Sequence, residues 1–201
     1  MSGLTEAFIY IIQTLGQLYL LVALLRFILQ LVRADLYNPR CQFTVKATQP
    51  LLAPLRRIIP SVAGIDLAGL VLVLGLQFLL IVVLLSLTSF PVMQLLPQIL
   101  IWTLIIVAGL VLKIFFFALI VSVILSWIAP GSHNPGAQLT QQICEPLLAP
   151  IRNLLPNLGG LDISPIFAFI AINLLERFVI GNLAISTGLV GPLRALVSPF
   201  L

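Results

Sequence analysis

Five polar or charged side chains stand inside long apolar runs of this sequence: Gln17, Gln77, Lys113, Asn173 and Glu176. A charge in hydrocarbon is costly, so such groups turn toward other helices or toward water and find partners there. An ammonium and a carboxylate neutralise one another, and amides donate and accept across a helix pair. The chemistry open to this set is therefore ion pairing, interhelical hydrogen bonding or the lining of a polar path. Catalysis has little to draw on. The single histidine, His133, lies in a Gly/Pro/Asn turn, where a solvated ring is the default. There is no HExxH, Walker loop, paired-cysteine site or GxSxG. Cys41 and Cys144 fall in no CxxC pair and read as incidental thiols on a reducing side. The chain is expected to be no enzyme and to hold no cofactor or metal.

The elements that must carry these residues follow from composition. Hydrophobic residues fill 61% of the 201 positions and charged ones 8%, with a mean hydropathy of +1.21. A soluble domain needs roughly a quarter charged residues to wet its surface. Four apolar segments, at residues 4–32, 67–87, 99–128 and 165–190, are each long enough to cross a bilayer as a helix. The expected fold class is an all-α membrane protein of four transmembrane helices. The first segment has no basic flank and contains Glu6, so it is expected to be a retained span and not a cleaved signal. Pro91 and Pro97 mark a tight turn between the second and third spans. Counted from the ends of their spans, Lys113 and Glu176 differ in depth by about 6 Å, so an ion pair between them is expected near the midplane. Gln17, Gln77 and Asn173 are expected to line the same interior. Two readings of that set stand open, a hydrophilic path for a solute or interhelical glue. Arg26 is close enough to its span end to snorkel. Ala118, Ser122 and Ser126 form a small-residue row that favours close helix approach, within the monomer or in a homo-oligomer.

The chain repeats itself. Residues 38–66 and 134–162 align at a constant offset of 96 with 13 of 29 positions identical. The identities include Asn38/Asn134, the whole PLLAP block, Arg56/Arg152, Pro60/Pro156, Gly64/Gly160 and Asp66/Asp162. Residues 1–95 and 96–201 are thus read as two copies of a two-helix unit, parallel about an axis along the membrane normal. The PLLAPLRRIIP and PLLAPIRNLLP blocks predict a short interfacial helix in each long loop, with Pro54 or Pro150 in its first turn and Pro60 or Pro156 ending it. Its apolar face carries Leu51, Leu52, Leu55, Ile58 and Ile59, while Arg56, Arg57 and Arg152 reach toward phosphate. Such an element is a structural strap or a docking platform. Gly64 and Asp66, with Gly160 and Asp162, read as a turn and N-cap before the next span.

The net charge of +4 is too dispersed for a nucleic-acid surface and reads as topology information and attraction to anionic lipid headgroups. Six basic residues in the two long loops against Arg194 on the other side place the loops in the cytoplasm and both termini in the periplasm.

The repeat resembles that of the YggT family of small bacterial membrane proteins, which has relatives in chloroplasts. The likeness rests on Asn38-Pro39, Pro50 to Pro54, Arg56, Pro60, Gly64, Asp66 and their second-copy counterparts. It implies an inner-membrane location and a role in tolerance of osmotic or salt stress, and it assigns no activity to individual residues. The function expected from the resemblance and the residues together is a non-enzymatic factor for envelope homeostasis, acting through membrane partner proteins. The alternative is a small channel or transporter for an ion or osmolyte.

Overall fold

The computed structural model describes residues 3–33, 39–61, 64–88, 90–128, 135–155 and 162–198. Expectations placed on Asn38, His133, Asn134, Pro156 and Gly160, and on the Cys41 side chain, lie outside what is described. The described chain is helical: α1 (Gly3–Leu31), α2 (Pro39–Ile58), α3 (Leu67–Leu87), α4 (Val92–Ile128), α5 (Pro135–Leu154), α6 (Ser164–Leu174), a π-helical turn (Leu175–Ile180), α7 (Gly181–Ser186) and α8 (Gly191–Val197). Among the described residues, α1, α3, α4 and the continuous stretch Ser164–Ser186 are long and apolar enough to cross a membrane. Helices suit such sequences because every backbone N–H and C=O is then satisfied within the segment.

The bundle is apolar on both its inside and its outside. Leu24, Ile28, Val73, Ile81, Leu85, Trp102 and Ile106 are buried where α1, α3 and α4 meet. Phe8, Leu15, Leu18, Leu104, Phe117, Ile170 and Phe178 cover the exterior, as a hydrocarbon solvent allows. α1 and α3 approach closely at Gly16, where a β-carbon would stand 2.5 Å from Leu80 Cδ1.

Three expectations about the elements are corrected. α4 has 37 residues and begins at Val92, with Pro97 inside it. A proline this near a helix start forfeits only the bond to the Met93 carbonyl, on an exposed end, so it does not break the helix. α2 and α5 are helices of 20 residues, longer than the short ones expected, and each holds two prolines, Pro50 and Pro54 or Pro146 and Pro150. The last crossing helix stops at Ser186 because Thr187–Gly188 turn, with Gly188 at φ +79. α8 follows that turn.

α2 lies against α1 and α3, and α5 against α4 and α6. Leu52 docks with Ala68 and Leu72, and Leu148 with Leu119, Cys144, Ala168 and Ile172. The buried stripe of α2 includes Thr48 and Leu52, with Leu55 and Ile59 half-buried, whereas Leu51 and Ile58 are exposed. Part of the face expected to point inward therefore points out.

Candidate functional site

Two groups of polar side chains are built on this frame. In the first, α4 carries Lys113 and the π turn carries Glu176, and Lys113 Nζ lies 2.6 Å from Glu176 Oε1. The π register is set by the Gly181 N–H, which donates to the Glu176 carbonyl five residues back. Such turns recur at functional sites because they re-aim side chains within a helix. Arg177, next along the turn, is exposed.

The other three intramembrane residues do not join the pair. Gln17 is buried and donates from Nε2 to the Val197 carbonyl at 3.1 Å. Gln13, one turn earlier, donates to Ala195 O at 2.8 Å and Leu196 O at 2.9 Å. These two amides fasten α8 onto α1. Asn173 is exposed and donates to Phe169 O of its own helix at 2.8 Å. Gln77 is fully buried, and neither of its amide atoms meets a partner among the described residues. A single lined interior does not form from the five.

The second group lies at the corners where α2 and α5 turn into the next helix. Arg56 Nη2 donates to Asp66 Oδ2 at 2.6 Å and to Gln30 Oε1 at 2.9 Å. Ninety-six residues on, Arg152 Nε donates to Asp162 Oδ2 at 2.9 Å, and its Nη1 reaches Glu145 at 3.0 and 3.1 Å. Arg56 and Arg152 thus engage carboxylates, while Arg57 is exposed. Asp66 precedes α3 but makes no side-chain cap bond; its buried carboxylate goes to Arg56. Asp162 does accept from the Ser164 N–H, at 2.9 Å. Partial burial by itself would lower the Arg152 pKa and raise that of Asp162. Hydrogen bonds that Arg152 donates to Asp162 and Glu145 outweigh it for Arg152, which is raised. Bonds from Ser164 and Arg152 outweigh it for Asp162, which is lowered.

One functional group escaped the sequence reading. Arg26 does not snorkel: it is buried, and Nη1 donates to Val45 O at 3.1 Å and Thr48 Oγ1 at 2.6 Å. Its Nη2 donates to Gln49 Oε1 at 2.9 Å. The Thr48 hydroxyl in turn donates to Thr44 O at 2.6 Å. Tyr19 adds a bond to Ala47 O at 3.2 Å. The polar spacing Thr44, Thr48, Gln49 on one face of α2 was the available signal. Among the described residues, no group of three or more His, Cys, Asp or Glu could hold a metal ion.

The family model described as CCB3/YggT matches residues 5–87 and again 101–183. The chain belongs to the CCB3/YggT family. An uncharacterized protein of Pseudomonas aeruginosa is 65% identical over 189 residues, covering 94% of this chain and 96% of its own. An uncharacterized protein of Vibrio alginolyticus is 40% identical over 174 residues, covering 87% and 93%. The uncharacterized protein YggT of Escherichia coli K12 is 41% identical over 156 residues, covering 78% and 80%. No solved structure matches the chain. Family membership and the four apolar helices together make this a multi-pass membrane protein with no catalytic motif.

Proposed function

We propose that this chain is a non-enzymatic inner-membrane factor that supports envelope homeostasis under osmotic or salt stress by docking membrane partner proteins. In this reading the two sequence copies are parallel two-helix units, with α2 and α5 on the cytoplasmic face beside anionic headgroups and both termini in the periplasm. The observation that carries it is the pair of Arg–Asp corners at Arg56–Asp66 and Arg152–Asp162. They hold α2 and α5 in fixed register against the crossing helices, with Phe43, Ile58 and Leu154 turned outward at 68%, 80% and 84% exposure. A rigid, amphipathic double platform lowers the ordering cost of binding a partner. The experiment is survival of a salt upshift by cells dependent on this chain. Ile58→Glu, Arg56→Glu and Arg152→Glu should each lower survival at unchanged membrane abundance, with photo-crosslinks from Ile58 and Leu154 capturing a partner protein. Undiminished survival in all three would refute the platform.

The second reading, a conduit for an ion or osmolyte, is favoured by the Lys113–Glu176 pair on a π turn. It predicts potassium release from proteoliposomes that Lys113→Met and Glu176→Gln abolish, and flux no greater than from empty vesicles excludes it.

A further inference from the structure

A polar cavity of about 350 Å³ opens between α4, α5 and the start of α6, lined in part by Ser122, Ser126, Trp127, Glu145, Arg152 and Asp162. The 96-residue offset says what this space corresponds to in the first half. Ser122 stands at the position of Arg26, Val123 at that of Phe27, and Ser126 at that of Gln30. There Arg26, Phe27 and Gln30 occupy part of the space, and a cavity of about 420 Å³ remains beside Gln30, Arg56, Pro60 and Asp66. Arg26 bonds to Val45 O and Gln49 Oε1, Gln30 accepts from Arg56, and Phe27 lies against Gly69, 3.4 Å from where its β-carbon would be. In the second half all three side chains have become small. Volume and a positive charge are removed together.

The acceptors of that charge remain. The carbonyl of Gln141 stands at the position of the Val45 carbonyl, and Gln49 has become Glu145, exchanging a neutral amide for a carboxylate. Around the cavity Glu145 and Asp162 face the single guanidinium of Arg152. One negative charge is left over, whereas Arg26, Arg56 and Asp66 leave one positive charge at the first corner. An anion entering here would meet two carboxylates. A cation would complete the charge balance, and Trp127 on the rim supplies an aromatic ring of the kind that attracts cations. The small-residue row at Ser122 and Ser126 is then the wall of a site, not a helix-packing seam.

We propose that this cavity binds a guanidinium group, which takes the place of the missing arginine on the Gln141 carbonyl and the Glu145 carboxylate. The inference rests on the two halves being copies of one unit, as proposed above. The guanidinium has two sources: a free small molecule, or an arginine side chain of a partner protein. Cys144 stands where Thr48 offers its hydroxyl, so the guest loses one acceptor and gains a full charge in exchange.

The test uses the full chain in detergent micelles. A Trp102→Phe background leaves Trp127 as the only one of the 2 tryptophans. Methylguanidinium and a short neutral peptide bearing one arginine are titrated separately while Trp127 emission is followed. A saturable change is expected, weakened about tenfold by Glu145→Gln and abolished by Ser122→Arg, which installs the tethered guest. Response to both probes assigns the site to free guanidinium compounds, and response to the peptide alone assigns it to a partner's arginine. No saturable response to either probe overturns the proposal, as does an affinity unchanged in Glu145→Gln. Glu145→Gln decides the matter even if Ser122→Arg fails to insert. Binding is read on purified protein, so it can fail while the stress phenotype stands, and the reverse.

Discussion

Lys113 and Glu176 form an ion pair of 2.6 Å between α4 and a six-residue π turn. The extra residue of a π turn re-phases the helix by about 100°, and here the turn carries the carboxylate that meets the lysine. Removing one partner leaves a charge facing hydrocarbon. Lys113→Met or Glu176→Gln should each cost about 1–2 kcal/mol of thermal stability in detergent, while the double substitution should cost less than their sum. Additive losses in the double-mutant cycle would mean that the pair is not coupled.

Arg26 is the bolt between α1 and α2. Arg26→Met deletes three charge-assisted bonds and should lower stability by about 2 kcal/mol, with α2 becoming accessible to protease before the crossing helices. Arg26→Lys should recover only part of this, because an ammonium cannot reproduce the planar fork that reaches Val45, Thr48 and Gln49 at once. If lysine restored full protection, charge alone would account for the contact.

Much of the frame could be read from the residues, and the misreadings have physical causes. The run at 67–87 has no competing signal, and α3 occupies Leu67–Leu87. Pro97 looked like punctuation because proline costs most in helix interiors, yet it lies in the second turn of α4, where little is lost. The seven residues of α8 carry too little periodicity to announce a helix, and they are held by the distant amides of Gln13 and Gln17. Counting along spans gives depth, and depth sufficed to bring Lys113 opposite Glu176. Azimuth depends on packing and on the π register, so counting could not tell that Asn173 faces outward or that Gln17 bonds to α8. The Arg26 cluster was missed for a related reason. Proximity to a span end suggested snorkelling, while the acceptors that hold it lie on a part of α2 that precedes the short helix expected from the PLLAP block.

The Arg152–Asp162 corner has an acid limit. Burial works against the Asp162 carboxylate, but its bonds from Ser164 and Arg152 prevail and its pKa is lowered. The unfolded chain then takes up the proton first. The corner's contribution is complete above the ordinary aspartate value of about 3.9 and is lost as pH falls through the lower native value. Trp127 emission should accordingly be flat from about pH 7 to 5 and change only below about 4. Asp162→Asn should remove that acid transition, and an unaltered transition would mean that Asp162 does not carry it.

Cys144 is fully buried beside Leu148 and Ala168. Burial, reinforced by the neighbouring Glu145 carboxylate and only partly offset by Arg152, pushes its thiol up to about 11. The thiolate is the reactive form, so at pH 8 the folded chain should present almost none of it. In a Cys41→Ser background, where Cys144 is the remaining thiol of the 2, alkylation by iodoacetamide should be at least about tenfold slower than in denatured chain. Glu145→Gln should quicken it modestly by removing the adjacent negative charge. Because Cys144 lies on the face of α5 that docks against α4 and α6, labelling as fast as in denatured chain would mean that α5 lifts from α4 and α6 on the timescale of the reaction, and that the Arg152 corner does not hold it down.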